Sequence, residues 1–154
     1  MSVFTKVKAA QFLFLPGIHS SDLVITEKKQ PKAKRKRMPK FFSDLASWPK
    51  TSNLYCCNCS YRYESIPVGM PIRMVYGETM QFELTYNYCG FKCLATAISR
   101  LPDRNTKEQR FMMMKLLYER FHGKPPGEIE FAPTIEERAD HGGNLNESDF
   151  KSRC

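Results

Sequence analysis

The sequence has 154 residues, of which 42% are hydrophobic, and it carries a formal net charge of +8. This length predicts one domain with additional terminal segments, and the apolar content supports only a modest hydrophobic core. No run of residues approaches the roughly 18 consecutive apolar residues of a membrane-spanning helix, so the sequence predicts no such helix.

A run of basic residues dominates the N-terminal segment, which we predict to comprise residues 1–40. A short apolar piece, AQFLFLPG, precedes the sequence KKQPKAKRKRMPK at residues 28–40, which contains no acidic residue. Repulsion between like charges and two prolines oppose a continuous helix, so this stretch is predicted to be a flexible arm. It matches a phosphate-binding arm, a nuclear import signal or a solvated linker without a partner. The candidate nucleic-acid-binding residues are Lys32, Lys34, Arg35, Lys36 and Arg37.

Aromatic residues mark the beginning of the predicted folded part. The segment FFSDLASWP, residues 41–49, has its apolar residues at helical spacing and predicts a short amphipathic turn. Residues 54–88 have the character of β-structure, with partial alternation of apolar and polar residues on both sides of YGET. Gly77 suits a turn there, so the pattern predicts a β-hairpin. Phe82, Leu84 and Tyr86 are expected to share one face of the second strand.

Two helices are predicted after the hairpin. The first begins at Cys89 or just after it and ends before Pro102, and its apolar stripe comprises Phe91, Leu94, Ala95 and Ile98. The second covers residues 106–122, with Thr106 and Gln109 in the positions of a capping box. Gly123 is suited to end this helix because glycine tolerates the left-handed conformation.

The remaining sequence is predicted to be extended or loosely ordered. Residues 124–133 read KPPGEIEFAP and are expected to be extended, and residues 136–154 are acidic and polar and predict a disordered tail. The predicted organisation is therefore an N-terminal segment at 1–40, a small α+β domain at 41–135 and a tail at 136–154.

Four of the six cysteines form two closely spaced pairs, Cys56 with Cys59 and Cys89 with Cys93. A C-x2-C turn lets two thiolates converge, and cysteines four apart at the start of a helix lie on one face. The helix N-terminus also stabilises the negative charge of thiolates. The intervening hairpin can bring the pairs together, and Zn²⁺ takes four such sulfurs at tetrahedral corners. The spacing therefore predicts one closed, structural zinc site.

Other roles for the cysteines stay open at the level of sequence. Cys57 can be paired with Cys59 instead, although a C-x-C pair makes a poorer metal-binding turn. The cysteines can also be buried or disulfide-bonded, but the N-terminal segment is a poor signal peptide and reduced thiols are expected. A catalytic Cys–His site is disfavoured, because the histidines are not expected to converge on a cysteine. Cys154 is expected to be free.

The cysteine pattern carries a resemblance to a known family. The segment YCGFKC, residues 88–93, resembles the Phe-Cys-Ser-x-x-Cys signature of FCS-type (MYM/TRASH-like) zinc fingers, with Tyr and Gly in place of Phe and Ser. Residues 39–135 resemble the late gene transcription factor 2 (trans-activator) family of poxviruses and other large nucleocytoplasmic DNA viruses. The matching parts are the segment PKFFSDLAS, the C-x-x-C pair, the hairpin-length spacer, the helix start and its continuation LATAIS.

The resemblance implies a fold, a cofactor and a role. It implies a treble-clef-like domain in which Cys56, Cys59, Cys89 and Cys93 hold one structural Zn²⁺, followed by a second helix and extended tails. It implies activation of late viral genes together with the viral RNA polymerase or other late transcription factors. The basic arm lies outside the resemblance, and its predicted contact with DNA follows from its charge. The implied location is the cytoplasmic virus factory or nucleus of the host cell, or the virion.

The sequence bears on two functional classes besides a transcription factor. A minor virion or capsid structural protein is the alternative, because a zinc-clamped core with extended arms can thread between neighbouring subunits. An enzyme is not expected, because the sequence has no phosphate-binding glycine loop, no histidine-based metal motif and no nucleophile elbow.

Overall fold

The computed structural model describes residues 37–154. This part of the chain forms a three-stranded sheet, three α-helices and two short 3-10 helices, so the predicted mixture of helix and sheet is confirmed. In chain order the elements are β1 (Phe41–Phe42), β2 (Val68–Tyr76), β3 (Met80–Tyr88), α1 (Phe91–Ser99), α2 (Arg104–His122), the 3-10 helices Ile135–Glu137 and Ala139–His141, and α3 (Glu147–Arg153). The apolar piece and most of the basic arm lie outside the described residues.

The sheet is built around the predicted hairpin. β2 and β3 pair antiparallel, the connection between them contains Gly77, and β1 pairs antiparallel with the other edge of β3. The resulting strand order is β1–β3–β2. Residues 41–49, predicted as a turn, instead begin with β1 and turn only afterwards, because Phe42 pairs with Phe82 of β3 and is buried beside it.

An ion-pair triad crosses the sheet at the buried carboxylate Glu83 of β3. Lys40 Nζ lies 2.8 Å from Glu83 Oε1, and Arg73 of β2 donates to Oε2. Hydrogen bonds from Lys40 and then Arg73 hold the pKa of Glu83 below its usual value. The triad therefore links the central strand to β2 on one side and to the residue before β1 on the other.

Tyr86 breaks the alternation that was predicted for β3. Phe82 and Leu84 are buried as expected, but Tyr86 is 63% exposed, so the predicted common face is wrong for this residue. Its φ of 55° lies in the left-handed region, which non-glycine residues rarely adopt. The distortion turns the following residue, Asn87, toward the loop that contains Tyr55, whose carbonyl accepts a hydrogen bond from Asn87 Nδ2.

α1 begins where the sequence predicts and buries the predicted stripe. Gly90 is the N-cap, and Phe91, Leu94, Ala95 and Ile98 are all buried. The helix packs against α2, β2 and β3. Thr96 on this helix donates a hydrogen bond to the carbonyl of Ala132 at 2.7 Å, which holds the extended segment after α2 against α1.

α2 begins two residues before the predicted start. Asp103 is the N-cap, and its Oδ2 accepts a hydrogen bond from the backbone N–H of Thr106 at 2.7 Å. The predicted capping box at Thr106 is therefore wrong, because the aspartate carboxylate satisfies a free N–H and also favours the positive end of the helix. At the other end Gly123 adopts φ of 71°, which confirms the predicted helix end.

The segment 136–154 is folded, which contradicts the predicted disordered tail. α3 has a capped start, where the side chain of Asn146 accepts a hydrogen bond from the N–H of Asp149 at 2.9 Å. Phe150 is completely buried, and its ring lies edge-on to that of Tyr61 at a centroid distance of 5.8 Å. A single buried aromatic residue thus anchors a segment whose polar composition indicated a loose tail.

The hydrophobic core lies between the sheet and the first two helices. The ring of Phe42 is 5.1 Å from that of Trp48 and 4.9 Å from that of Phe121 on α2. Trp48 Nε1 donates to the carbonyl of Pro67 at 2.8 Å, so the buried indole nitrogen is satisfied. Within residues 37–154 no helix combines the length and the apolar character needed to cross a membrane.

Candidate metal centre

The four cysteines selected by their spacing meet beside the end of β3 and the start of α1. The sulfur atoms of Cys56, Cys59, Cys89 and Cys93 all lie within 4.8 Å of one another. Cys89 Sγ is 3.8 Å from Cys59 Sγ and 3.4 Å from Cys93 Sγ. Sulfurs at tetrahedral corners about 2.3 Å from a central ion are separated by about 3.8 Å. The cluster therefore fits one metal ion, and these four cysteines could hold it.

The first pair lies on a tight loop that is closed by two hydrogen bonds between its own backbone groups. The N–H of Cys56 donates to the carbonyl of Tyr61, and the N–H of Ser60 donates to the carbonyl of Cys56, both at 2.9 Å. Ser60 adopts φ of 61°, which lets the chain reverse directly after Cys59. Cys56 and Cys59 are buried by this loop, whereas Cys57 points to solvent and lies outside the cluster. The alternative pairing of Cys57 with Cys59 is therefore not the one that the fold forms.

The second pair lies where a strand passes directly into a helix. Cys89 follows the last residue of β3 and precedes the N-cap Gly90, and Cys93 lies in the first turn of α1. The passage from strand to helix at Gly90 brings the two sulfurs to the same side. Cys93 is completely buried, and Cys89 is partly exposed. All six cysteines of the chain have free thiols, so none is joined in a disulfide.

Crowding makes the protonation of these thiols interdependent. The hydrogen bond with the Cys59 thiol raises the pKa of Cys56, but hydrogen bonds with Cys89 and Cys93 outweigh this effect. The pKa of Cys56 is therefore lowered to about 7. The pKa of Cys59 is also lowered, chiefly by hydrogen bonding with Cys154. The pKa values of Cys89 and Cys93 are raised, chiefly by Cys56 and by Cys154 respectively. Four adjacent thiols cannot all ionise by themselves, but a bound cation deprotonates coordinating thiols outright.

Asn87 supports the cluster, although no sequence motif indicated such a role for it. Its Nδ2 donates to the carbonyl of Tyr55 at 2.6 Å and to the hydroxyl of Tyr63 at 3.1 Å. Its carbonyl accepts a hydrogen bond from the N–H of Cys57 at 2.9 Å. Asn87 therefore ties the loop of the first pair to β3, just before the second pair. The available signal was an asparagine inside a predicted strand, where this residue type is disfavoured.

A fifth cysteine lies against the cluster. Cys154 directly follows α3 and lines a cavity of about 250 Å³ together with Cys59 and Cys89. Cys89 and Cys154 also line a larger cavity of about 640 Å³, whose wall includes Phe91 and His122. The thiol of Cys154 is free, as predicted, but its position beside the cluster was not predicted, because it depends on the folding of residues 136–154.

Of the five predicted nucleic-acid-binding residues, the structure describes one. Arg37 is exposed at the beginning of the described residues. Lys32, Lys34, Arg35 and Lys36 lie outside the described residues, so their predicted role stays a prediction.

Indications of function come from the four cysteine sulfurs and not from related proteins. No protein-family model, curated protein or solved structure matches the chain. The resemblance to viral late transcription factors therefore stays a prediction. Four sulfurs around one ion leave no coordination position for water or substrate, which is the arrangement of a site that stabilises a fold.

Proposed function

We propose that the four cysteines hold one Zn²⁺ and that the ion is a structural part of the fold. The observation that carries the proposal is the cluster of four sulfurs within 4.8 Å of one another. All-sulfur tetrahedral sets favour zinc or iron–sulfur chemistry, and the close spacing suits a single ion. The order of the parts, a C-x2-C loop, a hairpin and a C-x3-C helix start, supports the treble-clef-like finger that the resemblance implies.

The ion would supply stability that the core does not provide by itself. The loop of the first pair lies outside the three strands and has only the isolated bridge between Tyr55 and Arg62 as β-structure. Coordination would bind this loop to the junction of β3 and α1. Structural zinc contributes about 10–16 kcal/mol of apparent binding free energy in zinc-finger peptides, which is comparable to the whole stability of a typical domain, about 5–15 kcal/mol.

Metal analysis and a pair of cysteine variants test this site. Protein purified without chelator is expected to contain one zinc per chain by elemental analysis, and a chelator is expected to lower its melting temperature. Cys93→Ala is expected to weaken zinc binding and to lower the melting temperature of the protein, because this buried sulfur belongs to the cluster. Cys57→Ala is the matched control, since this neighbouring cysteine is exposed and should leave both measurements unchanged. Absence of bound metal from the wild-type protein would overturn the proposal.

We further propose that the zinc-stabilised domain acts as a viral late gene transcription factor rather than as an enzyme. The closed donor set supports a structural ion, and the resemblance over residues 39–135 supports the transcription role. The basic arm would contact DNA phosphates, and the exposed surface of the domain would contact the viral RNA polymerase or other late factors. The treble-clef-like finger would hold that surface in shape.

The packing of the C-terminal segment favours this role over that of a minor virion structural protein. An arm that threads between subunits is expected to become ordered against its neighbours. Here Phe150 and α3 pack against Tyr61 of the same chain, so this segment needs no neighbour to fold. This observation supports the transcription proposal.

Salt-dependent DNA binding tests the role of the arm. Replacing Lys34, Arg35, Lys36 and Arg37 by glutamine is expected to weaken binding and to reduce the slope of log K against log salt by up to about 3.6, since each phosphate contact contributes about 0.9. The matched control neutralises four basic residues of the folded part that are exposed: Arg104, Lys115, Arg120 and Lys124. Equal slopes for the two variants would remove the arm from DNA binding, and failure to co-purify with the viral polymerase would count against the transcription role.

A further inference from the structure

A spare thiol lies beside the proposed zinc site, held there by tertiary packing. Cys154 is partly buried and lies outside the group of four sulfurs that are mutually within 4.8 Å. It nevertheless borders the same cavity of about 250 Å³ as Cys59 and Cys89. The chain therefore presents five thiols around a position that needs four ligands.

Two observations locate the backbone of this fifth cysteine. The ring of Phe150 on α3 packs against Tyr61, whose carbonyl accepts the hydrogen bond from Cys56 N–H that closes the loop of the first pair. On the other side, a methyl group placed on Gly90 would lie 3.9 Å from the carbonyl oxygen of Cys154, so the backbone of Cys154 approaches the start of α1. Cys154 is thus held between the loop of the first pair and the helix of the second.

The four ligands of the proposed site differ in how firmly they are enclosed. Cys56, Cys59 and Cys93 are buried to at least 98% of their surface, whereas Cys89 is only partly buried. Cys89 and Cys154 border both cavities at this site. Cys154 and the least enclosed ligand, Cys89, therefore border the same open space beside the cluster.

We propose that Cys154 is a reserve ligand of the metal centre, a thiol that coordinates the ion when Cys89 leaves it. This inference rests on the proposed zinc site. In the exchange, the bond between the metal and the Cys89 sulfur breaks and the bond to the Cys154 sulfur forms. The proton released by the Cys154 thiol is taken up by the Cys89 thiolate, so the ion keeps four thiolates and the charge of the site is unchanged.

Cobalt substitution of the full chain tests the exchange directly. Co²⁺ bound to thiolates has a sulfur-to-metal charge-transfer absorption that increases with the number of thiolates, so it reports the ligand count. Cys89→Ala is expected to bind one Co²⁺ with the four-thiolate intensity of the wild-type protein. The double variant Cys89→Ala/Cys154→Ala is expected to lose about a quarter of that intensity, as four thiolates become three. Cys89→Ala/Cys57→Ala is the matched control and should match Cys89→Ala.

A kinetic measurement on Cys154→Ala keeps the proposal testable if the Cys89 variants do not fold. This variant retains all four ligands of the cluster, so its metal content should equal that of the wild-type protein. Transfer of zinc to an excess of chelator is expected to be several-fold faster than in the wild type, because a transiently detached Cys89 is no longer replaced. Cys57→Ala should transfer zinc at the wild-type rate.

The outcomes separate this inference from the proposed zinc site. Wild-type protein without bound metal would overturn both. A metal-loaded wild type with a three-thiolate spectrum for Cys89→Ala would overturn the reserve ligand alone. An unfolded Cys89→Ala together with wild-type transfer kinetics for Cys154→Ala would also overturn it.

Discussion

Removing the aromatic ring that anchors α3 should cost a large part of the stability of the domain. Phe150 is completely buried, and a buried phenylalanine removes about 200 Å² of surface from water. At about 25 cal/mol per Å² this corresponds to about 5 kcal/mol, of which alanine retains a part. We therefore expect Phe150→Ala to lower the free energy of unfolding by about 3–5 kcal/mol, the range found for such truncations in protein cores.

Urea denaturation of the metal-loaded protein, followed by circular dichroism, measures this loss. Phe131→Ala is the matched control, because Phe131 is 58% exposed and its ring contacts Phe111 at a centroid distance of 6.2 Å. The control is expected to lose less than about 1.5 kcal/mol, the upper range for an aromatic pair. Hydrogen exchange should show that the amides of α3 lose protection in Phe150→Ala. Equal unfolding free energies for the two variants would refute the packing of residues 136–154 on the domain.

Three further predictions concern the left-handed residue Tyr86, the N-cap of α2 and the ion-pair triad at Glu83. Tyr86 has a φ of 55°, a conformation that is unfavourable for every residue except glycine. In urea denaturation Tyr86→Gly should therefore be more stable than Tyr86→Ala by about 1 kcal/mol. At an ordinary strand position the alanine variant would be the more stable one, and that result would contradict the strained backbone. Asp103→Ala should lower the melting temperature more than Thr106→Ala, because the carboxylate of Asp103 caps α2; equal effects would contradict the cap. The pKa of Glu83 is lowered by its two basic neighbours, so its contribution to stability is present above its ordinary pKa of 4.5 and is lost as the pH falls through the folded-state value. The difference in melting temperature between the wild type and Glu83→Gln should therefore shrink from about pH 6 to about pH 3, and a constant difference would contradict the triad.

Features encoded by neighbouring residues were predictable from the sequence. The hairpin followed from alternation on both sides of Gly77, and the stripe of α1 followed from helical spacing. The cluster of Cys56, Cys59, Cys89 and Cys93 could be selected because each pair is formed within one local element, a loop or a helix start. Only the meeting of the two pairs required the fold, and the hairpin length made that meeting plausible.

Features that depend on distant partners were not predictable in the same way. The left-handed conformation of Tyr86 accompanies the hydrogen bond of Asn87 to Tyr55 in the loop of the first pair. This loop is some thirty positions earlier in the sequence, so no local pattern indicates the conformation. The folding of residues 136–154 depends on one phenylalanine that finds its place beside Tyr61. A polar segment with one aromatic residue has no periodic pattern, so composition indicated a loose tail where packing forms a helix.

The sequence by itself indicated the two cysteine pairs best suited to share an ion, because spacing of two and three residues controls the direction of side chains within a loop or a helical turn. Only the tertiary structure decided that Cys57 faces solvent and that Cys154 lies beside the cluster. The physical reason is that the exposure of a residue and its proximity to distant residues depend on which surfaces pack together. The packing of Phe150 on Tyr61 brings Cys154 next to cysteines that are far from it in the sequence.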